Sequence, residues 1–327
     1  MKKTLASVTA TSLVVTSGIL GIRTYRHYRR DMRLAGERIQ AGGSQVVETR
    51  RGLIEYATTG NGLPVLISHG VVGGFDHGLG IIPVYLRDSF RALCVSRFGY
   101  LRSPLPADTS PAAQADLYAS LLDELGLKRV AIMGFSAGGP SALQFALRHP
   151  DRTAVLVLWS MAVPPYDVPS GFMATMMEAV FRSDPLWWMV VTFLPNIMMR
   201  IAGVPKERLA HLTPQDQTFL ARLLPSFLPM SRRSEGALND VRVTNPDLNY
   251  GYPLERIAVP TLVIHAVDDP MPPFLTAEVM AGRIPGTRFI RIDNGGHLLL
   301  GHHEQVRAEI SDFITQHMRK PAGASRG

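Results

Sequence analysis

Three residue types that can share a proton lie at three strand-to-loop junctions of this 327-residue chain: Ser136, Asp269 and His297. A serine hydroxyl is a poor nucleophile until a base takes its proton during attack, and an imidazole serves as that base when an acid fixes its tautomer. Ser136 stands inside Gly134-Phe135-Ser136-Ala137-Gly138-Gly139, between the apolar run Val130–Met133 and a helical pattern whose apolar side is Ala142, Leu143, Phe145, Ala146 and Leu147. Glycines two residues either side of the serine suit a turn in which a Cβ would strike the neighbouring strand or helix. The turn lifts the hydroxyl above the sheet edge and aims the first helical N–H groups at it.

The acid follows the apolar run Thr261–Ile264, in His265-Ala266-Val267-Asp268-Asp269-Pro270. Asp269 is preferred to Asp268 because it directly precedes Pro270 in the turn out of the strand. The base His297 ends Asp293-Asn294-Gly295-Gly296-His297, after the strand pattern Arg288–Ile292. Chain order serine, acid, histidine is the order of such triads on an α/β sheet. A tetrahedral oxyanion also requires donors. The Ala137 N–H is one, and the other is expected from the loop His69-Gly70-Val71-Val72-Gly73-Gly74, at Val71, with Val72 as runner-up.

The elements that must hold these residues alternate from 64 to 158. Strand patterns at Pro64–Ser68, Ala92–Arg97, Val130–Met133 and Thr153–Leu158 are separated by helical stretches near 78–87, 111–125 and after Ser136. Short connections between alternating elements predict a mostly parallel sheet covered on both faces, an α/β fold. Gln45–Thr49 and Leu53–Thr58 precede it as two short strands around Arg51-Gly52. The alternation stops at 160. Up to 252 the pattern is helical and strongly apolar, near 170–182, 185–202, 214–224 and 231–242, and the block holds eight of the fourteen methionines. A helical insertion there, after the sixth strand, would sit over Ser136 as a lid. Its Met and Trp side chains would line a pocket for a bulky apolar substrate. Phe135, Trp159, Trp187, Trp188 and Met176 are the candidate pocket residues.

The expected organisation is therefore a core at 45–159 and 253–317, a helical cap at 160–252 and a disordered tail at 318–327. Residues 1–38 form a separate membrane-directed segment, and 34–44 read as a linker with Gly36, Gly42 and Gly43. Of the formal +7, residues 1–38 carry +6, eight cations less two anions, so the rest of the chain is near neutral and lacks a basic stripe. Nucleic-acid binding is excluded on that ground. Leu5–Ile22 is uncharged between Lys2-Lys3 and Arg23, and as a helix it extends ~27 Å, just short of a hydrocarbon core. The arginines at 23–33 outweigh the two lysines, which predicts an anchor through residues 5–22 with the catalytic part in the cytoplasm. A cleaved signal and export is the alternative reading. The lone Cys94 excludes an internal disulfide and fits a reducing compartment.

Taken together, the strand-HGVVGG, SRFGYLRSP, GFSAGG, DDP and GGH segments resemble the α/β-hydrolase superfamily over residues 45–317, in particular its lidded serine esterase and lipase-like members. The resemblance implies Ser136 as nucleophile, Asp269 as acid and His297 as base. A serine at that corner argues against the haloalkane dehalogenase and epoxide hydrolase branches, which use aspartate there. The expected reaction is hydrolysis of a carboxylic ester through an acyl-serine, with no metal or organic cofactor and a small apolar ester or acyl compound as partner. The same triad could instead serve carbon–carbon hydrolysis, cofactor-free perhydrolysis or acyl transfer. A reading of another class is a silent, membrane-tethered ligand-binding protein.

Overall fold

The computed structural model describes residues 2–319, with side chains from residue 20 onward; the tail expected to be disordered lies largely outside the described residues. A long helix, α1 (Lys2–Ala41), leads into the strands β1 (Gln45–Thr49), β2 (Gly52–Thr59) and β3 (Leu63–Ser68). Then come α2 (Phe75–Tyr85), β4 (Phe90–Val95), α3 (Pro111–Glu124), β5 (Val130–Phe135), α4 (Gly139–Arg148) and β6 (Thr153–Trp159). Six helices follow before the next strand: α5 (Gly171–Phe181), α6 (Asp184–Phe193), α7 (Pro195–Ile201), α8 (Lys206–Leu209), α9 (Pro214–Ser226) and α10 (Ser234–Asn239). The chain closes with β7 (Thr261–Ala266), α11 (Phe274–Gly282), β8 (Arg288–Ile292) and α12 (His303–Met318).

The eight strands form one sheet in the order β1-β2-β4-β3-β5-β6-β7-β8. The hairpin β1-β2 and its junction with β4 are antiparallel, and every other pair is parallel. This is the α/β-hydrolase fold the residues imply. Successive strand residues point to opposite faces, so Val65, Ile67, Ala131 and Met133 feed one buried cluster while Leu66, Val130 and Ile132 feed the other. Both faces are dry, which is why the central strands read as unbroken apolar runs. Pairing of β3 with β5, Ser68 beside Gly134, sets the His69 loop next to the Ser136 turn.

Proline decides how the helical block is divided. The stretch expected as one helix over 185–202 is split at Pro195 into α6 and α7, because proline lacks the N–H that an interior turn needs. The stretch expected near 231–242 becomes α10 and a wider turn over Asp240–Thr244.

The N-terminal expectations do not hold. Residues 34–44 are not a linker: α1 runs through them to Ala41, with Ala35 and Ile39 buried and Arg38 donating to the Leu228 carbonyl at 2.7 Å. Nor does residue 5–22 form a membrane span, since no helix among the described residues is long and apolar enough to cross a membrane. Six serines and threonines and two glycines dilute the uncharged run, and basic residues follow from Arg23. The membrane-anchored localisation and the membrane partner expected from that span fall with it.

Candidate active site

The strand β5 delivers Ser136 at φ +50°, a left-handed conformation that only a tightly held turn sustains in a non-glycine residue. The flanking glycines make that turn possible. A Cβ on Gly138 would lie 2.1 Å from the Ser68 carbonyl oxygen, and one on Gly134 would lie 2.8 Å from the Ala142 Cβ. Ser136 Oγ opens into a cavity of about 220 Å³ and makes no hydrogen bond to another described residue.

Two adjacent acids beyond β7 serve the loop beyond β8 in different ways. Asp269 Oδ2 accepts the His297 Nδ1–H at 2.8 Å, and its Oδ1 accepts the Met271 N–H at 2.9 Å. Asp268 accepts the Gly295 and Gly296 N–H groups at 3.2 and 2.8 Å, so it shapes the backbone that presents the imidazole. The proximity of Asp269 and His297 was expected; the brace from Asp268 was not. With Nδ1 donating to Asp269, Nε2 of His297 keeps its lone pair. His297 lines the same cavity as Ser136, and its ring centroid lies 5.1 Å from that of Phe135. Beneath Asp269, His265 Nε2–H donates to the Pro272 carbonyl at 3.0 Å, and burial holds this ring below the usual histidine range.

The glycine loop after β3 is held from behind. His69 Nδ1–H donates to the Gly70 carbonyl at 2.7 Å and its Nε2 accepts the Arg97 N–H at 3.1 Å. Burial, followed by the nearby Arg97 charge, pushes His69 well below the ordinary value, so it acts as a neutral strut. Arg97 is paired with Asp240 at 2.6 and 2.5 Å, and Tyr100 Oη–H donates to the same carboxylate at 2.5 Å. The Val72 N–H donates to Tyr100 Oη at 3.2 Å, whereas the Val71 N–H has no partner among the described residues. Gly70 is pressed against Ser136: a Cβ there would stand 3.1 Å from the serine Cβ. Val71, Val72 and Ser136 all line the cavity, with Ala137 buried directly behind Ser136.

Of the five pocket candidates, Phe135 and Trp187 line the cavity. Trp159 lies under Phe135, the two rings stacked 5.2 Å apart at 22°. Trp188 turns away to α1, where its Nε1–H donates to Asp31 Oδ2 at 2.9 Å, and Met176 is exposed on α5. Among the residues missed are His77, Ile81 and Tyr85 of α2 and, from α9 and its C-terminal end, Phe219, Leu223 and Phe227. Their four-residue spacing puts each set on one helix face, and that period was readable in the sequence. What it could not give was which faces meet over Ser136.

The helical block is also fastened to the histidine loop. The His297 N–H donates to the Gly203 carbonyl at 2.8 Å, and the Gly301 N–H donates to Asp216 Oδ1 at 2.8 Å. Asp216 also closes the capping box of α9 with Thr213 and pairs with Arg208 at 3.0 Å. On the other side, Arg233 donates to Asp76 Oδ2 at 2.7 Å in a fully buried pair.

Residues 65–309 match the model of a family described as the alpha/beta hydrolase family. Among curated proteins the chain is similar to the uncharacterized hydrolase YcgS of Bacillus subtilis, 27% identical over 76% of this chain and 89% of that one. It is also similar to the pimeloyl-[acyl-carrier protein] methyl ester esterase of Neisseria meningitidis, 26% identical over 69% of this chain and 68% of the relative. Among solved structures, an alpha/beta hydrolase fold protein from Nakamurella multipartita superposes with a TM-score of 0.63 at 27% identity, covering 83% of this chain and 98% of the other.

Proposed function

The chain belongs to the α/β-hydrolase family, and from that premise we propose that it is a serine hydrolase cleaving carboxylic esters of apolar substrates. The observation that carries the reading is the 2.8 Å bond between His297 Nδ1 and Asp269 Oδ2 in the wall of a cavity that also holds Ser136. In this reading residues 45–159 and 253–317 are the catalytic core and 160–252 the cap.

In the proposed cycle Ser136 Oγ attacks the acyl carbonyl while His297 Nε2 takes its proton. Asp269 keeps the ring in the tautomer that can accept it and stabilises the imidazolium that results. Negative charge builds on the carbonyl oxygen and is met by the N–H groups of Ala137 and Val71. Val71 is favoured over Val72 because the Val72 amide is committed to Tyr100. The tetrahedral centre then collapses, the C–O bond breaks, and the leaving alcohol takes the proton from His297. Water, giving its proton to the same nitrogen, attacks the acyl-serine; the acid departs and Ser136 regains its hydrogen. The hydroxyl and the imidazole line one cavity without a hydrogen bond between them, and such contacts commonly tighten only with substrate bound.

The apolar wall of the cavity supports an apolar acyl or alcohol group, and an esterase among the curated relatives supports ester chemistry. The experiment is labelling of the purified protein with a fluorophosphonate, together with hydrolysis of a panel of p-nitrophenyl esters. Adduct on Ser136 and ester turnover, both lost in Ser136→Ala, are the expected results. A folded protein that neither takes the label nor turns over any ester would refute the reading.

A further inference from the structure

His77 faces the cavity with one ring nitrogen engaged and the other free. It stands in the first turn of α2, 4% exposed, with its ring stacked on Phe227 at 5.8 Å and 18°. Its Nδ1 lies 3.2 Å from Ser226 Oγ. The Ser226 hydroxyl donates to the Leu223 carbonyl at 2.6 Å, so its proton is committed and its oxygen is left to accept. Nδ1 therefore carries the ring hydrogen and Nε2 carries a lone pair. No described group donates to that nitrogen. Burial pushes the ring down to about 4, with Asp76 opposing the fall and Arg233 and Arg38 adding to it, so it is neutral near pH 7.

The neighbours offer it nothing. Tyr85 Oη–H donates to the Leu298 carbonyl at 2.8 Å and Trp187 Nε1–H to the Phe227 carbonyl at 3.1 Å, so both spend their protons on backbone. Phe227 covers the ring, and Ile81 and Leu223 line the same cavity. An acceptor left bare in such a wall penalises any ligand that dries it without supplying a donor.

We propose that His77 Nε2 accepts a hydrogen bond from the substrate, and that preferred substrates are esters bearing a hydroxyl group away from the scissile carbonyl. The inference rests on the ester-hydrolase reading above. An unsubstituted alkyl chain would strip water from Nε2 and leave it unpaired, whereas a hydroxylated chain exchanges its own bond to water for one to the ring. Sites built around a hydrogen bond discriminate against analogues lacking it more sharply than apolar pockets discriminate by size.

The test uses the full chain and pairs of esters that differ by one hydroxyl, walked along the acyl group in one series and along the alcohol in the other. The expected result is at least one pair in which kcat/KM favours the hydroxylated ester about tenfold or more. That ratio should fall to near one in His77→Leu, and part of it should survive in His77→Gln, which keeps an acceptor. Ser226→Ala should also lower the ratio, because the tautomer is no longer fixed, and it serves if His77→Leu fails to fold. Because each ratio is internal to one variant, a general loss of activity does not mimic the effect. No preference in the wild type, or a preference unchanged in His77→Leu, overturns the proposal while fluorophosphonate labelling of Ser136 leaves the hydrolase reading standing. A folded wild type that takes no label and turns over no ester overturns both.

Discussion

The backbone N–H of His297 is held by the carbonyl of Gly203, 2.8 Å away and ninety-four residues earlier in the chain. Gly203 follows α7, so the helical block grips the loop that carries the imidazole. The contact is close on both sides: Gly203 has φ +78°, a Cβ on it would lie 2.4 Å from the His297 Cβ, and a Cβ on Gly296 would lie 2.5 Å from the Gly203 oxygen.

Gly203→Ala is therefore expected to cost about 1 kcal/mol in backbone strain and, more tellingly, to displace His297. A shift of about 1 Å at a catalytic group can lower kcat about a hundredfold. Comparing kcat and thermal stability in the variant separates the two effects. Wild-type kcat in a folded Gly203→Ala protein would show that the loop does not need this brace.

The two neighbouring acids should separate cleanly by kinetics. Asp269→Asn leaves the His297 ring with the wrong partner and should lower kcat by about ten-thousand-fold, with little change in KM. Asp268→Asn weakens two N–H contacts from charged to neutral, which should reduce stability by about 1 kcal/mol and lower kcat far less. Steady-state kinetics on one p-nitrophenyl ester with both variants decides the matter; equal losses would break the assignment of Asp269 as the acid.

Trp188 ties α1 to the helical block through its bond to Asp31 and through edge contacts with His27 and Tyr28 at 5.4 and 5.5 Å. Trp188→Ala removes a 2% exposed aromatic, a change of about 3–5 kcal/mol in a packed setting. Trypsin should then cut faster within the arginine-rich stretch 23–33, before the rest of the protein is degraded. An unchanged cleavage rate there would mean that the helix is held by other contacts.

Burial holds His69, His77, His265 and His303 below the ordinary histidine value, which makes the fold acid-sensitive. As pH falls below 6.5 the unfolded chain takes up protons that the folded form refuses, so stability drops; for His77 the drop continues to about 4. That window corresponds to about 3 kcal/mol for His77. Urea midpoints measured between neutral pH and about 4 should fall more steeply in the wild type than in His77→Gln. Parallel slopes would contradict a neutral, buried His77.

Much of the frame of the candidate site was legible because its signals are local. A strand, a turn with glycines at 134 and 138, and a helix can be read from twenty residues, and the order of Ser136, Asp269 and His297 needs only their places at strand ends. The α1 segment shows the opposite case. Gly36, Gly42 and Gly43 suggested a linker, yet Gly42 is pressed against the Phe75 ring and Arg38 bonds to Asp76 and the Leu228 carbonyl, partners that no local window contains.

The amino-acid order thus determined the sheet, the turn around Ser136 and the presence of a long helical block, since strand and helix periods and glycine's freedom act over a few residues. Which of two adjacent acids reaches the imidazole, which tryptophans face the cavity and which tautomer His77 adopts were decided only in three dimensions. Those outcomes depend on distances of a few ångströms between residues far apart in the chain, and hydrogen bonds and packing are sensitive to just that scale.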